Sequence, residues 1–172
     1  LETFSDNPFL ADFYKNQKEF ALATQLHFLL NRSKVFSQER EGFFSTNNIV
    51  SDFLMKKDKL FAETILNKEE LSLYTDIKSK LDFYEPKPDL VIYLQADTDI
   101  LMKNIEKRGR NMERNITWEY IDALNQVYTE YFFRYQDTPL VIINTNNIDF
   151  VENENDLKEV IDYIRQPVSG TK

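Results

Sequence analysis

The chain has 172 residues, a net charge of −8 and 42% hydrophobic residues, which is enough apolar content for one ordinary domain with a real core. We assign residues 1–166 to that domain and residues 167–172 to a flexible tail. The acidic balance disfavours broad binding to nucleic acid. The lack of cysteine and the single histidine exclude disulfides, thiolate metal sites and His-rich zinc sites. No apolar run reaches about 18 residues, so no membrane span is predicted and the cytoplasm is the default compartment.

The first half of the chain is predicted to be mainly helical. Apolar residues at helical spacing indicate four helices, over residues 7–16, 17–38, 58–66 and from 67 onwards. The longest helix carries a broad apolar stripe, made of Phe20, Ala21, Leu22, Leu26, Leu29 and Leu30. The fourth helix begins at Asn67, because Glu70 completes a capping box with that residue. A short strand is predicted over residues 48–53 and brings Asp52 near its end.

The second half alternates strands with helices, which is typical of an α/β fold with a parallel sheet. Strands are predicted over residues 90–94 and 140–144, and helices over residues 99–107, 117–135 and 155–165. The first of these strands, LVIYL, is apolar at every position and is expected to be buried on both faces. Gly109 follows the next helix and is a suitable residue to end it.

Charged residues collect where a ligand site is expected in such a sheet, at the carboxyl ends of its strands. Asp52 ends one predicted strand, and Glu2 stands where an earlier strand would end. Arg108 and Arg110 flank Gly109 on an exposed turn, and guanidinium groups in that setting suit phosphate oxygens. Acids opposite mobile arginines indicate phosphoryl transfer. The same arginines also fit a solvated basic helix end, and the residues alone leave both interpretations open.

Five segments in order make the chain resemble the deoxynucleoside kinases, and within them the bacterial deoxyadenosine/deoxyguanosine kinase branch. They are LETFSDNPFLADFY, FALATQLHFLLNR, NIVSDFLMKKDKLFA, PDLVIYL and KNIEKRGRNMERNI. The resemblance covers nearly the whole chain and implies a P-loop kinase-like three-layer fold with an arginine-bearing lid. It also implies phosphorylation of the 5′-hydroxyl of a deoxyribonucleoside in nucleotide salvage, with ATP and Mg²⁺, a purine as the favoured base, and a homodimer.

The resemblance assigns roles around the sugar and the phosphates. Glu2 matches the general base that acts on the sugar 5′-hydroxyl. Tyr14 and Glu113 match the two residues that bind the 3′-hydroxyl. Arg108 and Arg110 match the lid arginines that bind the phosphates of the donor.

Four further residues match the part of the family site that holds the base. Gln25 matches the glutamine that reads the base edge through its amide, and Arg32 matches the arginine beside the base. Phe61 matches the aromatic residue that stacks on the base, although a core phenylalanine is an alternative. Asp58 matches the acid that pairs with Arg32, or else caps the start of its helix.

The chain departs from the family pattern near the transferring phosphoryl group. Asp52 aligns with a family acid, in a magnesium-binding or supporting role, but the arginine that usually follows that acid is missing. A shift of one residue would instead place Asp52 on the arginine. The first lid arginine of many relatives is Asn104 here. These changes reduce the positive charge that is expected near the phosphates.

The family's P-loop, GxxxxGK[ST], does not occur in the chain, whose only glycines are Gly42, Gly109 and Gly170. In the family this loop follows the first, central strand and supplies the phosphate cradle. We therefore expect the chain to be a fragment that lacks both, and to be inactive as a kinase on its own. Two other functions stay open: a nucleoside-monophosphate kinase similar to thymidylate kinase, and a non-catalytic nucleoside-binding or interaction domain.

Overall fold

The chain divides into two compact units. The helical unit comprises residues 1–86 and 109–117, and the sheet unit comprises residues 87–108 and 118–172. The structure is a computed structural model that describes residues 6–38, 50–52, 54–81, 87–168 and 170–171. None of the helices in these ranges is long and apolar enough to cross a membrane.

The helical unit is built from helices alone in the part of the chain that the structure describes. They are α1 (Leu10–Lys15), α2 (Gln17–Gln38), α3 (Met55–Ile65), α4 (Lys68–Lys80) and a 3₁₀ helix (Asn111–Asn115). Helix α2 packs against α1, α3 and α4, and the 3₁₀ helix packs against α1. The capping box predicted at Asn67 is confirmed, because the Glu70 N–H donates to Asn67 Oδ1 at 2.9 Å and the Asn67 N–H donates to Glu70 Oε2 at 3.0 Å. Local sequence therefore fixes where α4 begins.

The buried face of α2 differs from the predicted apolar stripe. Leu30 is exposed, so its place in that stripe is wrong. The buried face contains Ala21, Gln25, Leu29 and Arg32, whose spacing of four, four and three residues follows one side of a helix. Two of these four side chains are polar, so α2 brings hydrogen-bonding groups into the interior of the helical unit.

In its described residues the sheet unit has two parallel strands with helices on both faces. Its elements are β1 (Val91–Gln95), α5 (Thr98–Arg108), α6 (Trp118–Phe133), β2 (Leu140–Asn144) and α7 (Glu154–Ile164). The two strands run in register from the pair Val91–Leu140 to the pair Gln95–Asn144. On one face Tyr93 stacks on Phe132 of α6, with the ring centroids 4.3 Å apart. On the other face Val141 and Ile143 pack with Val160 of α7.

Burial of β1 on both faces was predicted and is wrong. Ile92 is 42% exposed and Leu94 is 45% exposed, because successive side chains point to opposite faces and α7 covers β2 on that side. The strand predicted over residues 48–53 is also not found in its described part, residues 50–52, where Val50 is 98% exposed. The rest of that strand lies outside the described residues.

The end of the chain pairs with the start of β2. The Leu140 N–H donates to the Gly170 carbonyl oxygen at 2.9 Å, and Thr171 forms a parallel bridge with Leu140. Gly170 has a φ of +85°, which glycine adopts without the steric cost that a side chain would bring. This contact lies within the segment expected from the sequence to be a tail.

Candidate functional site

One carboxylate, that of Asp58, joins three helices of the helical unit. Asp58 lies in the first turn of α3, is 0% exposed, and accepts hydrogen bonds from Arg32 of α2 and Tyr74 of α4. Gln25 Nε2 donates to Asp58 Oδ1 at 3.1 Å and to the Asp58 carbonyl oxygen at 2.8 Å. Lys78 Nζ lies 3.9 Å from Asp58 Oδ2. We call these five residues the Asp58 cluster; its donors offset the cost of burying the negative charge.

The two oxygens of Asp58 serve different partners. Gln25 and Arg32 bind Oδ1, whereas Tyr74 and Lys78 lie against Oδ2. Burial raises the pKa of the Tyr74 hydroxyl, and the neighbouring Asp58 charge raises it further. The Tyr74 hydroxyl therefore keeps its proton at neutral pH and remains a donor to the carboxylate.

The structure brings three of the sequence-predicted base-site residues into contact: Gln25, Arg32 and Asp58. Asp58 is the partner of Arg32; the alternative that it caps its helix is wrong, because α3 begins after Leu54. Phe61 lies nearly one turn further along α3 and is half-buried. The binding of a base by Gln25 and Arg32, and the stacking of Phe61 on it, stay predictions.

The residues predicted for the sugar lie on two elements that pack together. Tyr14 is in α1 and Glu113 is in the 3₁₀ helix. Glu113 is buried, and its Oε1 lies 3.4 Å from Arg110 Nη1. The ion pair links one predicted lid arginine to the predicted sugar-binding acid. Binding of the 3′-hydroxyl by Tyr14 and Glu113 stays a prediction.

The Arg-Gly-Arg turn has the predicted local conformation. Arg108 is the last residue of α5, and Gly109 has a φ of +64°, the left-handed conformation that commonly ends a helix at glycine. Arg108 belongs to the sheet unit and Arg110 to the helical unit. Both arginines are exposed, and Arg110 lies in an ion pair with Glu113.

The structure says little about the two predicted catalytic acids, Glu2 and Asp52. Glu2 lies outside the described residues. Asp52 is exposed in the short described segment of residues 50–52. Within the ranges that the structure covers, no group of three or more His, Cys, Asp or Glu side chains is placed to hold a metal ion.

Three residues around the cluster were not singled out from the sequence. Tyr74 and Lys78 lie one turn apart on α4, and Arg32 Cζ lies 5.2 Å from the centroid of the Phe28 ring, a cation–π distance. The spacing of Phe28 and Arg32 along α2 was a usable signal for that contact. The sequence around Tyr74 gave no signal for its contact with Asp58, because an ordinary core tyrosine has the same helical spacing.

Similarity to known proteins identifies the family of the chain. The model of the deoxynucleoside kinase family matches residues 1–169. The chain belongs to the deoxynucleoside kinase family. It is 29% identical to the deoxyguanosine kinase of Bacillus subtilis, over 96% of this chain and 82% of that protein. It is 31% identical to a deoxyguanosine kinase of Lactobacillus johnsonii, over 95% of this chain and 77% of that protein.

A solved structure of a deoxyadenosine kinase from M. mycoides with bound dCTP has the same fold. The match has a TM-score of 0.75 at 25% identity and covers 95% of this chain and 83% of that one. The predicted α/β P-loop kinase-like fold is thereby confirmed, together with the kinase family. The protein is a phosphotransferase of the deoxynucleoside kinase type.

We expect Asp58→Ala to lower the free energy of unfolding by about 3–5 kcal/mol, because the Arg32 guanidinium would stay buried without its carboxylate. Urea denaturation followed by circular dichroism measures this loss. Asp12→Ala is the matched control, since Asp12 pairs with Lys15 at 2.9 Å on the surface and its loss should change stability by no more than about 1 kcal/mol. Equal effects of the two substitutions would contradict the compensating role of the cluster.

Proposed function

We propose that this kinase transfers the γ-phosphoryl group of ATP to the 5′-hydroxyl of a purine deoxyribonucleoside, deoxyadenosine or deoxyguanosine, in nucleotide salvage. The observation that carries the proposal is the Asp58 cluster, which holds Gln25 and Arg32 in a fixed arrangement. An amide and a guanidinium together supply the acceptor and donors that a purine edge requires. The relatives that are named deoxyguanosine and deoxyadenosine kinases support the purine assignment.

In this proposal the helical unit holds the nucleoside. Gln25 and Arg32 read the base, with Phe61 stacked on it. Tyr14 and Glu113 bind the 3′-hydroxyl of the sugar, and the packing of α1 against the 3₁₀ helix supports a shared role. The contacts to the sugar suit a substrate with a hydroxyl at the 3′ position. The contacts to the base suit one whose edge carries hydrogen-bond donors and acceptors.

The phosphoryl group is handled by charged residues outside the Asp58 cluster. Glu2 accepts the proton of the 5′-hydroxyl as that oxygen bonds to the γ-phosphorus and ADP leaves. Arg108 and Arg110 bind the donor phosphates, and their exposure supports this role. Mg²⁺, when bound, neutralises charge on the phosphates. A single exposed carboxylate such as Asp52 fits the habit of Mg²⁺ to take one or two carboxylates and complete its shell with phosphates and water.

The cytoplasm is the compartment that we propose for this reaction, and a homodimer is the proposed assembly. The family resemblance and the composition of the chain favour both. Size-exclusion chromatography with light scattering measures the assembly directly.

The proposed reaction is tested by incubating the full-length protein with ATP, Mg²⁺ and each of the four deoxynucleosides in turn. We expect kcat/KM for deoxyadenosine or deoxyguanosine to exceed that for thymidine by at least about tenfold, because a site built for one set of hydrogen bonds penalises another. Preference for a pyrimidine would refute the purine assignment. Phosphorylation of deoxynucleoside monophosphates in place of deoxynucleosides would refute the acceptor.

We expect Gln25→Ala to weaken deoxynucleoside binding by about 1–3 kcal/mol, because polar groups of the base would lose a buried partner. Isothermal titration calorimetry on the full-length protein measures the change. Gln126→Ala is the matched control, since Gln126 is exposed on α6 of the sheet unit. If both variants bind as the wild type does, Gln25 is not part of the base site.

We expect Tyr14→Phe and Glu113→Gln to reduce kcat/KM for 2′-deoxynucleosides more than for 2′,3′-dideoxynucleosides, because both residues are assigned to the 3′-hydroxyl. Steady-state kinetics with matched pairs of substrates measures the selectivity. Glu119→Gln, on the exposed first turn of α6, is the control for loss of a negative charge. Equal losses on the two substrate types would show that neither residue binds the 3′-oxygen.

A further inference from the structure

The polar network behind Gln25 and Arg32 extends to a third helix. Tyr74 of α4 is 1% exposed and donates its hydroxyl to Asp58 Oδ2. Lys78 follows one turn later on α4, with its ammonium nitrogen 3.9 Å from the same oxygen. None of the roles assigned so far uses either residue, although both lie against the only carboxylate in the cluster.

The two oxygens of the Asp58 carboxylate bind different helices. On one side α4 holds Oδ2, and on the other side Oδ1 orients the Gln25 amide and the Arg32 guanidinium. A carboxylate that is held at both oxygens cannot rotate without breaking hydrogen bonds on both sides. The position of Oδ1 therefore depends on α4. So does the orientation of Arg32 and, in part, that of Gln25, which also donates to the Asp58 carbonyl oxygen.

Asp58 itself is closed to ligands in this arrangement. It is fully buried, and the donors of four side chains surround its two oxygens. Gln25 and Arg32 are the two members of the cluster that the proposed function assigns to the base. Asp58 is then the connection between α4 and the residues that read the base.

We propose that Tyr74 and Lys78 are positioning residues of the nucleoside site, which hold Asp58 and through it Gln25 and Arg32 without touching the nucleoside. The inference rests on the proposed function, because Gln25 and Arg32 are the base-reading residues there. Tyr74 is the stronger of the two, since its hydroxyl donates directly to the carboxylate. Lys78 contributes less because its side chain is partly exposed.

The test measures the dissociation constants of deoxyadenosine and deoxyguanosine by calorimetry on the full-length protein. We expect Tyr74→Phe to weaken binding about tenfold, as for loss of a hydrogen bond to a charged group, and to raise KM for the nucleoside but not for ATP. In an Asp58→Asn background the same substitution should add less than about twofold, because the two residues act through one contact. Tyr135→Phe is the matched control: it removes a buried tyrosine hydroxyl bonded at 2.7 Å to Thr138 in the sheet unit and should leave binding unchanged.

Several outcomes would overturn the inference. An equal loss from Tyr74→Phe in both backgrounds would show that it does not act through Asp58, and no loss would show that it does not act at all. If Tyr74→Phe does not fold, Lys78→Gln decides, with an expected loss of about threefold; unchanged binding would overturn the proposal. Wild-type binding by Gln25→Ala would overturn the base site and this inference together. Weakened binding by Gln25→Ala with normal binding by Tyr74→Phe and Lys78→Gln would overturn this inference alone.

Discussion

The helical unit depends on the compensation of one buried negative charge. An isolated carboxylate in a protein interior is too costly to remain ionised, so the fold surrounds Asp58 with donors from two other helices. Each donor reaches the carboxylate only if its helix has the right rotation about its axis and the right position along it. The electrostatic requirement therefore fixes how α2, α3 and α4 lie against one another.

A cluster of this kind is better suited to specify an arrangement than to maximise stability. Apolar residues of similar volume often stabilise a core as well as a buried ion pair does. What apolar residues do not provide is a preferred orientation for an amide and a guanidinium. The arrangement of Gln25 and Arg32 is thus a property of the whole helical unit, since neither residue orients itself.

Local sequence patterns, which span only a few residues, predicted much of this fold. The capping box at Asn67, the left-handed Gly109 and both ends of β2 follow from neighbouring residues. Alternation of strands and helices predicted the parallel pairing of β1 with β2. The family resemblance then named Gln25, Arg32 and Asp58 as residues of one site, and the structure places these three in contact.

Features that depend on distant partners could not be predicted in the same way. Tyr74 is 16 residues from Asp58 in sequence, and nothing in its local pattern distinguishes a core ring from a hydroxyl that binds a carboxylate. The exposure of Leu30 reflects which side of α2 the other helices cover. That of Ile92 depends on how far α7 reaches across the sheet. Hydrophobicity alone does not encode such coverage.

The interrupted course of the helical unit has a consequence for synthesis on the ribosome. Residues 1–86 belong to this unit, but the 3₁₀ helix that packs against α1 lies in residues 109–117, after β1 and α5 have been made. A nascent chain that ends before residue 109 therefore lacks the 3₁₀ helix and leaves α1 with α2 as its packing partner. Chains are made from the amino terminus at about 5–20 residues per second, so the contact between α1 and the 3₁₀ helix forms some seconds after α1 and α2 have been made. During that interval the side of α1 that the 3₁₀ helix covers stays exposed, so the helical unit is completed only after β1 and α5 of the sheet unit have been made.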